Sequence, residues 1–344
     1  MKRYKMKTDN KKEKNSFSLL PSPFSLENKK ILLAFSAGVD STALFFLLHE
    51  NDIKCDLAIV DFGLREQSKE EVAYAKELAG RYGCQCYVAY APKFTAHFEE
   101  NARKFRYGFF EELINEHKYD VLLTAHQLND RLEWLLMRLT KGAGASELVG
   151  LKSVAKKRDY MLVRPLLEYS KDELKSYLDK KGIKYFLDDS NYDEGYERNY
   201  FRHNFSDLLI EKYKDGIKRS FEYLKNDAAM QESMFDTVYS EKELMIVELK
   251  DISFKTKAAD LALKELGYLL SRKQRAEIQE NKSIVVGGEW VVALEKDLLF
   301  IAPYKKTVLP KEFKEFCRIR HIPHLARGYI YDENINLEGV LDVK

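Results

Sequence analysis

Between residues 31 and 139 the chain alternates between short unbroken apolar runs and longer stretches with apolar positions every three or four residues. The short runs are Ile31–Phe35, Cys55–Asp61, Cys84–Tyr90 and Val121–Thr124. Unbroken runs of this length are what a strand buried on both faces requires. The longer stretches read as helices over Thr42–Glu50, from the Ser68–Glu71 capping box to Gly83, over Glu99–His117, and over Asn129–Leu139. Strands and helices in strict alternation predict an α/β fold built on a doubly wound, mostly parallel sheet.

After residue 150 the alternation weakens. Met161–Leu166 reads as extended, and a second capping box, Ser170–Glu173, opens a helix that Gly182 closes. Asp188–Asn191 is a polar loop, and Asn199–Lys214 and Ile217 to about Glu243 read as two helices. Further on come a helix over Thr256–Leu270, a hairpin-like stretch over Ser283–Ile301 and a basic helix near 311–321. The expected organisation is an arm over 1–28, an α/β domain over 29–205, a helical linker over 206–250 and a smaller α+β region over 251–344.

Composition narrows the class. Of 344 residues, 45% are apolar and 33% charged, a folded composition. The net charge is only +2, so attraction to a polyanion must come from local patches. Residues 1–30 are such a patch, with nine Lys/Arg against three Asp/Glu. The four cysteines form no Cys-x-x-Cys pair, which counts against a zinc ribbon or a cysteine-held cluster and fits a reducing compartment. No early apolar run approaches the length of a membrane helix, and Pro21 and Pro23 interrupt any signal-peptide core. A cytoplasmic protein with no membrane partner is expected.

The chemistry concentrates first in Ser36-Ala37-Gly38-Val39-Asp40-Ser41-Thr42, between the first strand and the first helix. Small residues there let backbone N–H groups approach an anion, and the helix N-terminus adds free donors and partial positive charge. No Gly-Lys-Ser/Thr follows, so this is not a Walker loop. Asp40 would repel phosphate unless Mg²⁺ stands between them, although Asp40 and Ser41 are also good helix caps. The segment resembles the Ser-Gly-Gly-x-Asp-Ser loop of the PP-loop ATP pyrophosphatases, with Ala37 in place of the second-position glycine.

Further motifs resemble one branch of that superfamily, the tRNA(Ile)-lysidine synthases. Thr124-Ala-His126-Gln-Leu-Asn129-Asp130-Arg-Leu-Glu133 resembles their Thr-Ala-His-x-x-Asp-Asp-x-x-Glu pattern, with Asn129 for the first Asp. Asp130 and Glu133 lie three apart and so share a helix face, where they could bind Mg²⁺ or an ammonium or simply favour a helix N-terminus. Glu99 to Tyr107 resembles the branch's Glu-x-x-Ala-Arg-x-x-Arg-Tyr helix and puts Arg103 and Arg106 on one face, suited to phosphate. Asp188-Asp-Ser-Asn191 with Arg198, Asn199 and Arg202 resembles its Asp-Asp-Ser-Asn … Arg-Asn-x-x-Arg signature. Val60-Asp61-Phe62-Gly-Leu-Arg65 resembles Val-Asp-His-Gly-Leu-Arg, with Phe62 for the histidine. Lys141–Gly144 with Glu147, and Arg164–Leu167, match more weakly. Ser271–Gln274 and Leu309–Arg318 look like pieces of C-terminal RNA-contacting modules.

The resemblance implies ATP-dependent joining of L-lysine to the wobble cytidine of a CAU-anticodon tRNA(Ile), through an adenylated cytidine, releasing pyrophosphate and AMP. It assigns Ser36, Ala37, Gly38, Val39, Asp40, Ser41, Thr42, Asp61 and His126 to ATP, and Asp40 and Asp130 to Mg²⁺. Asp40, Asp130, Glu133 and Arg103 become the catalytic candidates. Arg103, Arg106, Arg198, Asn199 and Arg202 become tRNA contacts, the region 251–344 a further one. Related enzymes commonly pair, so a homodimer is expected. Two alternatives stay open: another PP-loop enzyme, either a tRNA thiolase or a small-molecule synthetase, and an inactive tRNA- or nucleotide-binding homologue.

The basic arm is either a solvated tail or a mobile segment on phosphates. If it touches phosphates, removing residues 1–28 lowers tRNA affinity and flattens its dependence on salt, because fewer counterions are released. An unchanged salt slope assigns the arm to solvent.

Overall fold

The computed structural model describes residues 25–63, 66–187 and 197–337. Residues 1–24, most of the basic arm, and the Asp188–Asn191 motif lie outside the described residues. The chain divides into two compact units, 1–224 and 225–344.

In the first unit β1 (Ile31–Ala34) leads into α1 (Val39–Glu50), then β2 (Asp56–Asp61), α2 (Gln67–Tyr82), β3 (Cys86–Tyr90), α3 (Phe98–His117), β4 (Val121–Leu123) and α4 (Leu128–Leu139). The chain continues through α5 (Ala145–Val149), β5 (Val154–Lys156), β6 (Met161–Val163) and α6 (Lys171–Lys181). Next come α7 (Glu197–Phe201), one π-helical turn over Arg202–Ser206 and the long α8 (Asp207–Glu232), bent at Tyr213. The sheet order is β3-β2-β1-β4-β6-β5, with every pair parallel except β5–β6.

Alternate residues of β1 explain its unbroken apolar run. Ile31 and Leu33 pack into one core with Leu44 and Leu48 of α1, Leu78 of α2 and Leu174 and Leu178 of α6. Leu32 packs on the opposite face with Phe110, Leu113 and Ile114 of α3. Both faces of the sheet are thus covered, as a parallel sheet requires. The chain leaves β1 toward β2 on one side, and β4 lies on the other. The carboxyl ends of β1 and β4 therefore flank a topological switch point, where open α/β sheets form their ligand crevice.

Helix α4 packs elsewhere. Its Leu128 and Leu132 join Ile210 and Phe221 of α8 in a separate cluster. Asn129 ties three segments together there. Its Nδ2 donates to Asp207 Oδ1 (2.7 Å), its Oδ1 accepts from the Lys171 amide (3.3 Å), and its carbonyl accepts from the Ser206 hydroxyl (3.1 Å).

In the second unit β7 (Phe235–Glu241) and β8 (Leu244–Leu249) precede α9 (Lys255–Glu265) and α10 (Arg272–Glu280). A meander of β9 (Ser283–Val286), β10 (Trp290–Glu295) and β11 (Leu298–Pro303) follows, then α11 (Lys311–Ile319) and α12 (Arg327–Asp332). The five strands form an antiparallel sheet in the order β7-β8-β11-β10-β9. Met245 and Val247 face a core with Ala259 and Leu263, and Ile246 faces another with Cys317 and Ile330.

Several expectations are corrected. The helix expected to reach Glu243 ends at Glu232, and Phe235–Glu241 is a strand paired with β8. Its Thr237-Val238-Tyr239 core is β-branched and aromatic, which suits a strand. Ser68 does not open α2: that helix starts at Gln67 after Glu66, with no side-chain cap. The Ser170–Glu173 box does form. Ser271 and Gln274 likewise spend their side chains capping α10, a helix not among those expected from the sequence.

Replacing Asn129 by Asp removes the donor to Asp207 and sets two carboxylates against each other. The expected cost is about 1–3 kcal/mol at pH 7, read from urea unfolding, and smaller near pH 4. The exchanged pair N129D/D207N can remake the bond in reverse and should recover most of the loss. A double variant no more stable than N129D alone would show that this contact does not hold the three segments.

Candidate active site

The loop after β1 carries the anion-binding geometry. Gly38 takes the N-cap position of α1, and no side chain caps the helix. The first bond of α1 runs from Thr42 N to the Gly38 carbonyl (3.0 Å), so the amides of Val39, Asp40 and Ser41 have no intrahelical acceptor. Ser41 Oγ accepts from the Ser36 amide (3.2 Å) and lies 3.1 Å from Ser36 Oγ, which folds the loop over the helix start. Ala37 has φ +58°, a left-handed conformation that costs a non-glycine residue about 1 kcal/mol. Its carbonyl accepts from the Phe186 amide (2.9 Å), and that segment holds the loop in place.

Asp40 stands at this loop with Oδ1 buried and without a hydrogen-bond partner among the described residues. Burial, then the Asp130 and Glu133 carboxylates, push its pKa up to about 7 against the pull of Lys171 and Arg202. An ionised carboxylate here is under-compensated by the positive charges around it. Among the described residues no group of three or more His, Cys, Asp or Glu has metal-ligand spacing. The unpartnered Asp40 carboxylate suits a Mg²⁺ that takes one or two carboxylates and completes its shell with phosphate and water.

Asp130 and Glu133 emerge from the start of α4, where a Gln127–Asp130 capping box fixes the first turn. Arg198 and Arg202 close on them from α7 and the π turn. Arg198 Nη2 lies 2.5 Å from Asp130 Oδ1, and its Nε lies 2.8 Å from Glu133 Oε2. Arg202 Nε donates to Glu133 Oε1 (2.7 Å), and its Nη2 is 3.7 Å from Asp130 Oδ1. Burial pushes Asp130 up, but Arg198, His126, the Gln127 amide and Arg202 together hold it below the usual carboxylate value. Asp130 reaches the cleft, whereas Glu133 is 1% exposed and turned wholly to the arginines.

Across the cleft, burial and then Arg164, Arg198 and Arg103, opposed by Asp130, lower the His126 pKa to about 4. The ring is neutral at working pH, with Nδ1 2.9 Å from Thr124 Oγ1. Arg103 lies over the Tyr107 ring (4.8 Å) and Arg106 over Phe62 (5.4 Å), which also meets Phe98 edge-on (6.0 Å). Phe62 thus supports an arginine with its ring face.

One cleft of about 680 Å³ is lined by Ser36, Gly38, Val39, Asp40, Ser41, Asp61, Arg103, Arg106, His126, Asp130, Arg198 and Arg202. Four residues named from the sequence do not line it: Ala37 and Thr42 are fully buried, Glu133 is covered, and Asn199 is buried in α7. Lys171, His203 and Asp207 line it and were not singled out. The only sequence signal near Lys171 was the capping box it follows.

The PP-loop domain family matches residues 7–209. A tRNA(Ile)-lysidine synthase of Campylobacter jejuni (strain RM1221) is 42% identical over 92% of this chain and 96% of its own. That of Helicobacter hepaticus is 41% identical over 92% of this chain and 84% of its own. One from Helicobacter pylori (strain 26695) is 40% identical over 90% of this chain and 91% of its own. With a PP-loop over an uncapped helix start and similarity across nearly the whole length, the chain belongs to the tRNA(Ile)-lysidine synthase family of PP-loop proteins.

Proposed function

We propose that this protein joins L-lysine to the wobble cytidine of a CAU-anticodon tRNA(Ile), using ATP and releasing pyrophosphate and AMP. The observation that carries the reading is one cleft at the switch point holding both an uncapped helix start and the Asp130–Arg198 ion pair. The first is a phosphate cradle, and the second offers a carboxylate to a cation.

The cytidine carbonyl oxygen attacks the ATP α-phosphorus, and pyrophosphate leaves. This turns a poor leaving oxygen into a good one. The lysine ε-amine then attacks the activated ring carbon, the C–O bond breaks and AMP departs. The free amides of α1 hold phosphate oxygens in place. Mg²⁺ held by Asp40 and Asp130 would offset charge on the departing pyrophosphate. Asp130 is the carboxylate facing the cleft, so it, rather than Glu133, meets the lysine ammonium. The bound ammonium must first give one proton to a carboxylate to free the attacking electron pair, and the N–H proton that becomes acidic as the C–N bond forms passes to solvent. Arg103 and Arg106, held over Tyr107 and Phe62, present guanidinium groups to the RNA. Arg198 and Arg202 pair with both carboxylates and hold Asp130 below the usual carboxylate value against its burial. The cytoplasm, where tRNA is modified, is the compartment this reading requires.

The direct test supplies labelled lysine, ATP, Mg²⁺ and a CAU-anticodon tRNA(Ile) transcript. Lysine enters the RNA, and entry stops when the wobble cytidine is changed. AMP and pyrophosphate formed only with a different substrate would make the protein another PP-loop enzyme.

Asp40→Asn should lower turnover by at least about 100-fold, because the cation site and its charge are lost. Its stability effect has a defined sign. The folded pKa of Asp40, about 7, lies above the unfolded value of 3.8, so ionisation destabilises the metal-free fold as pH rises between them. Metal-free D40N should therefore be at least as stable as the parent at pH 8, with this advantage fading below pH 4. Loss of stability at pH 8, measured by urea unfolding, would assign Asp40 a structural role instead.

A further inference from the structure

Asn129 stands where the family pattern has the first of its two aspartates, so the start of α4 is one acidic group short. The geometry points to Asp207 as the replacement: we propose that its carboxylate binds the α-ammonium of the lysine substrate. The inference rests on the reading of this cleft as the lysine site.

Asn129 is 5% exposed and does not line the cleft. Its Oδ1 accepts from the Lys171 amide, so its Nδ2 is the group turned to Asp207 Oδ1, 2.7 Å away. Asp207 is the member of this pair that lines the cleft, and 40% of its side chain is exposed. The acidic group has thus moved across one hydrogen bond, from a buried position on α4 to the cleft wall. Its new place is well fixed. The Asp207 amide donates to the Arg202 carbonyl across the π turn, and the Ser206 hydroxyl donates to the Asn129 carbonyl (3.1 Å). Arg202 in turn pairs with Glu133, so Asp207 is tied from two sides to the helix that carries Asp130.

The other carboxylates of the cleft have tasks. Asp40 stands at the phosphate loop, and Asp130, paired with Arg198, meets the ε-ammonium. Asp61 Oδ1 accepts from the Gly63 amide (2.7 Å), and Glu71 Oε1 accepts from Gln67 (3.0 Å). Asp207 Oδ1 is taken by Asn129, but Oδ2 lies 4.0 Å from His203 Nδ1, beyond hydrogen-bond reach. Free lysine carries a second ammonium, and a cation leaves water for a cleft only where an acceptor takes over its hydration. Asp207 offers an oxygen, access from solvent and a direction set by Asn129. A carboxylate there favours lysine over an amine that lacks the α-ammonium.

The test measures binding to the full-length protein by calorimetry, with L-lysine and ε-aminocaproate as probes. The second keeps the amine and the carboxylate of lysine and lacks the α-ammonium. Asp207→Asn keeps an acceptor for Asn129 and removes the charge. It should weaken lysine by about fivefold or more while ε-aminocaproate changes by less than about twofold, which also shows that the variant is folded. The exchanged pair N129D/D207N keeps the net charge but returns it to the buried position, so lysine should still bind at least about threefold more weakly than to the parent. In labelled-lysine incorporation, D207N should raise KM for lysine by the factor lost in binding and leave kcat within about threefold. Equal losses for the two probes, no loss for lysine, or parent affinity in the exchanged pair overturns the proposal. A parent protein that binds no lysine overturns the lysine-site reading and this assignment with it. A parent that binds lysine without incorporating it, while D207N still loses lysine selectively, supports Asp207 and removes only the reaction.

Discussion

Two carboxylates buried at the start of α4, Asp130 and Glu133, and the two arginines that pair with them organise the catalytic unit. Taking Asp130 and Glu133 out of water is costly, and removing one partner of such a cluster costs far more than the intact cluster contributes. Glu133, at 1% exposure, has no solvent to fall back on. It needs Arg198 and Arg202, which lie more than sixty residues further along the chain. That need brings α7 and the π turn onto α4. The π turn is an unusual way to enter a long helix, and such turns gather at functional sites. Ser206 and Asp207, the last residue of that turn and the first of α8, lock onto Asn129, next to Asp130 in the chain. The ion cluster and the hydrogen-bonded joint are thus one junction.

The junction also determines what is left over. Its two guanidiniums are shared by two carboxylates, so the cluster is close to neutral. Asp40, across the cleft, is not included. Burial disfavours its ionised form most, Asp130 and Glu133 add like charge, and Lys171 and Arg202 do not compensate.

The parallel sheet and its loop were legible because their signals are local. An apolar run such as Ile31–Phe35 has few other uses, and Ser36–Thr42 needs only its neighbours to be read. Pairing was not legible. Sequence spacing placed Asp130 and Glu133 on one face, and the family resemblance assigned Arg198 and Arg202 to RNA, but neither put the four in mutual contact. Nor could it show that Glu133 is spent on that contact. Lys171 was hidden because Ser170 and Glu173 explained its segment without it. Strand β7 was missed for a different reason: it is an edge strand with several exposed positions, so its apolar alternation is weak.

Three residues depart from the family's motifs, and each has a local answer. Ala37 occupies a left-handed conformation that favours glycine, and its carbonyl is held by the Phe186 amide. Phe62 has no imidazole to offer, but its ring carries Arg106 on one side and meets Phe98. Asn129 faces an acidic residue, Asp207, to which it can donate and an aspartate could not. A decaying site would accumulate substitutions without partners, and its ion cluster, no longer under selection, would be among the first things lost because it is expensive to maintain. Here every departure is matched, the cluster is complete, and Asp40 retains an unsatisfied acceptor at the mouth of the phosphate loop. An unsatisfied buried carboxylate weakens the fold unless something binds it, so its retention beside an intact cradle argues for a working catalyst over a relic that only holds RNA.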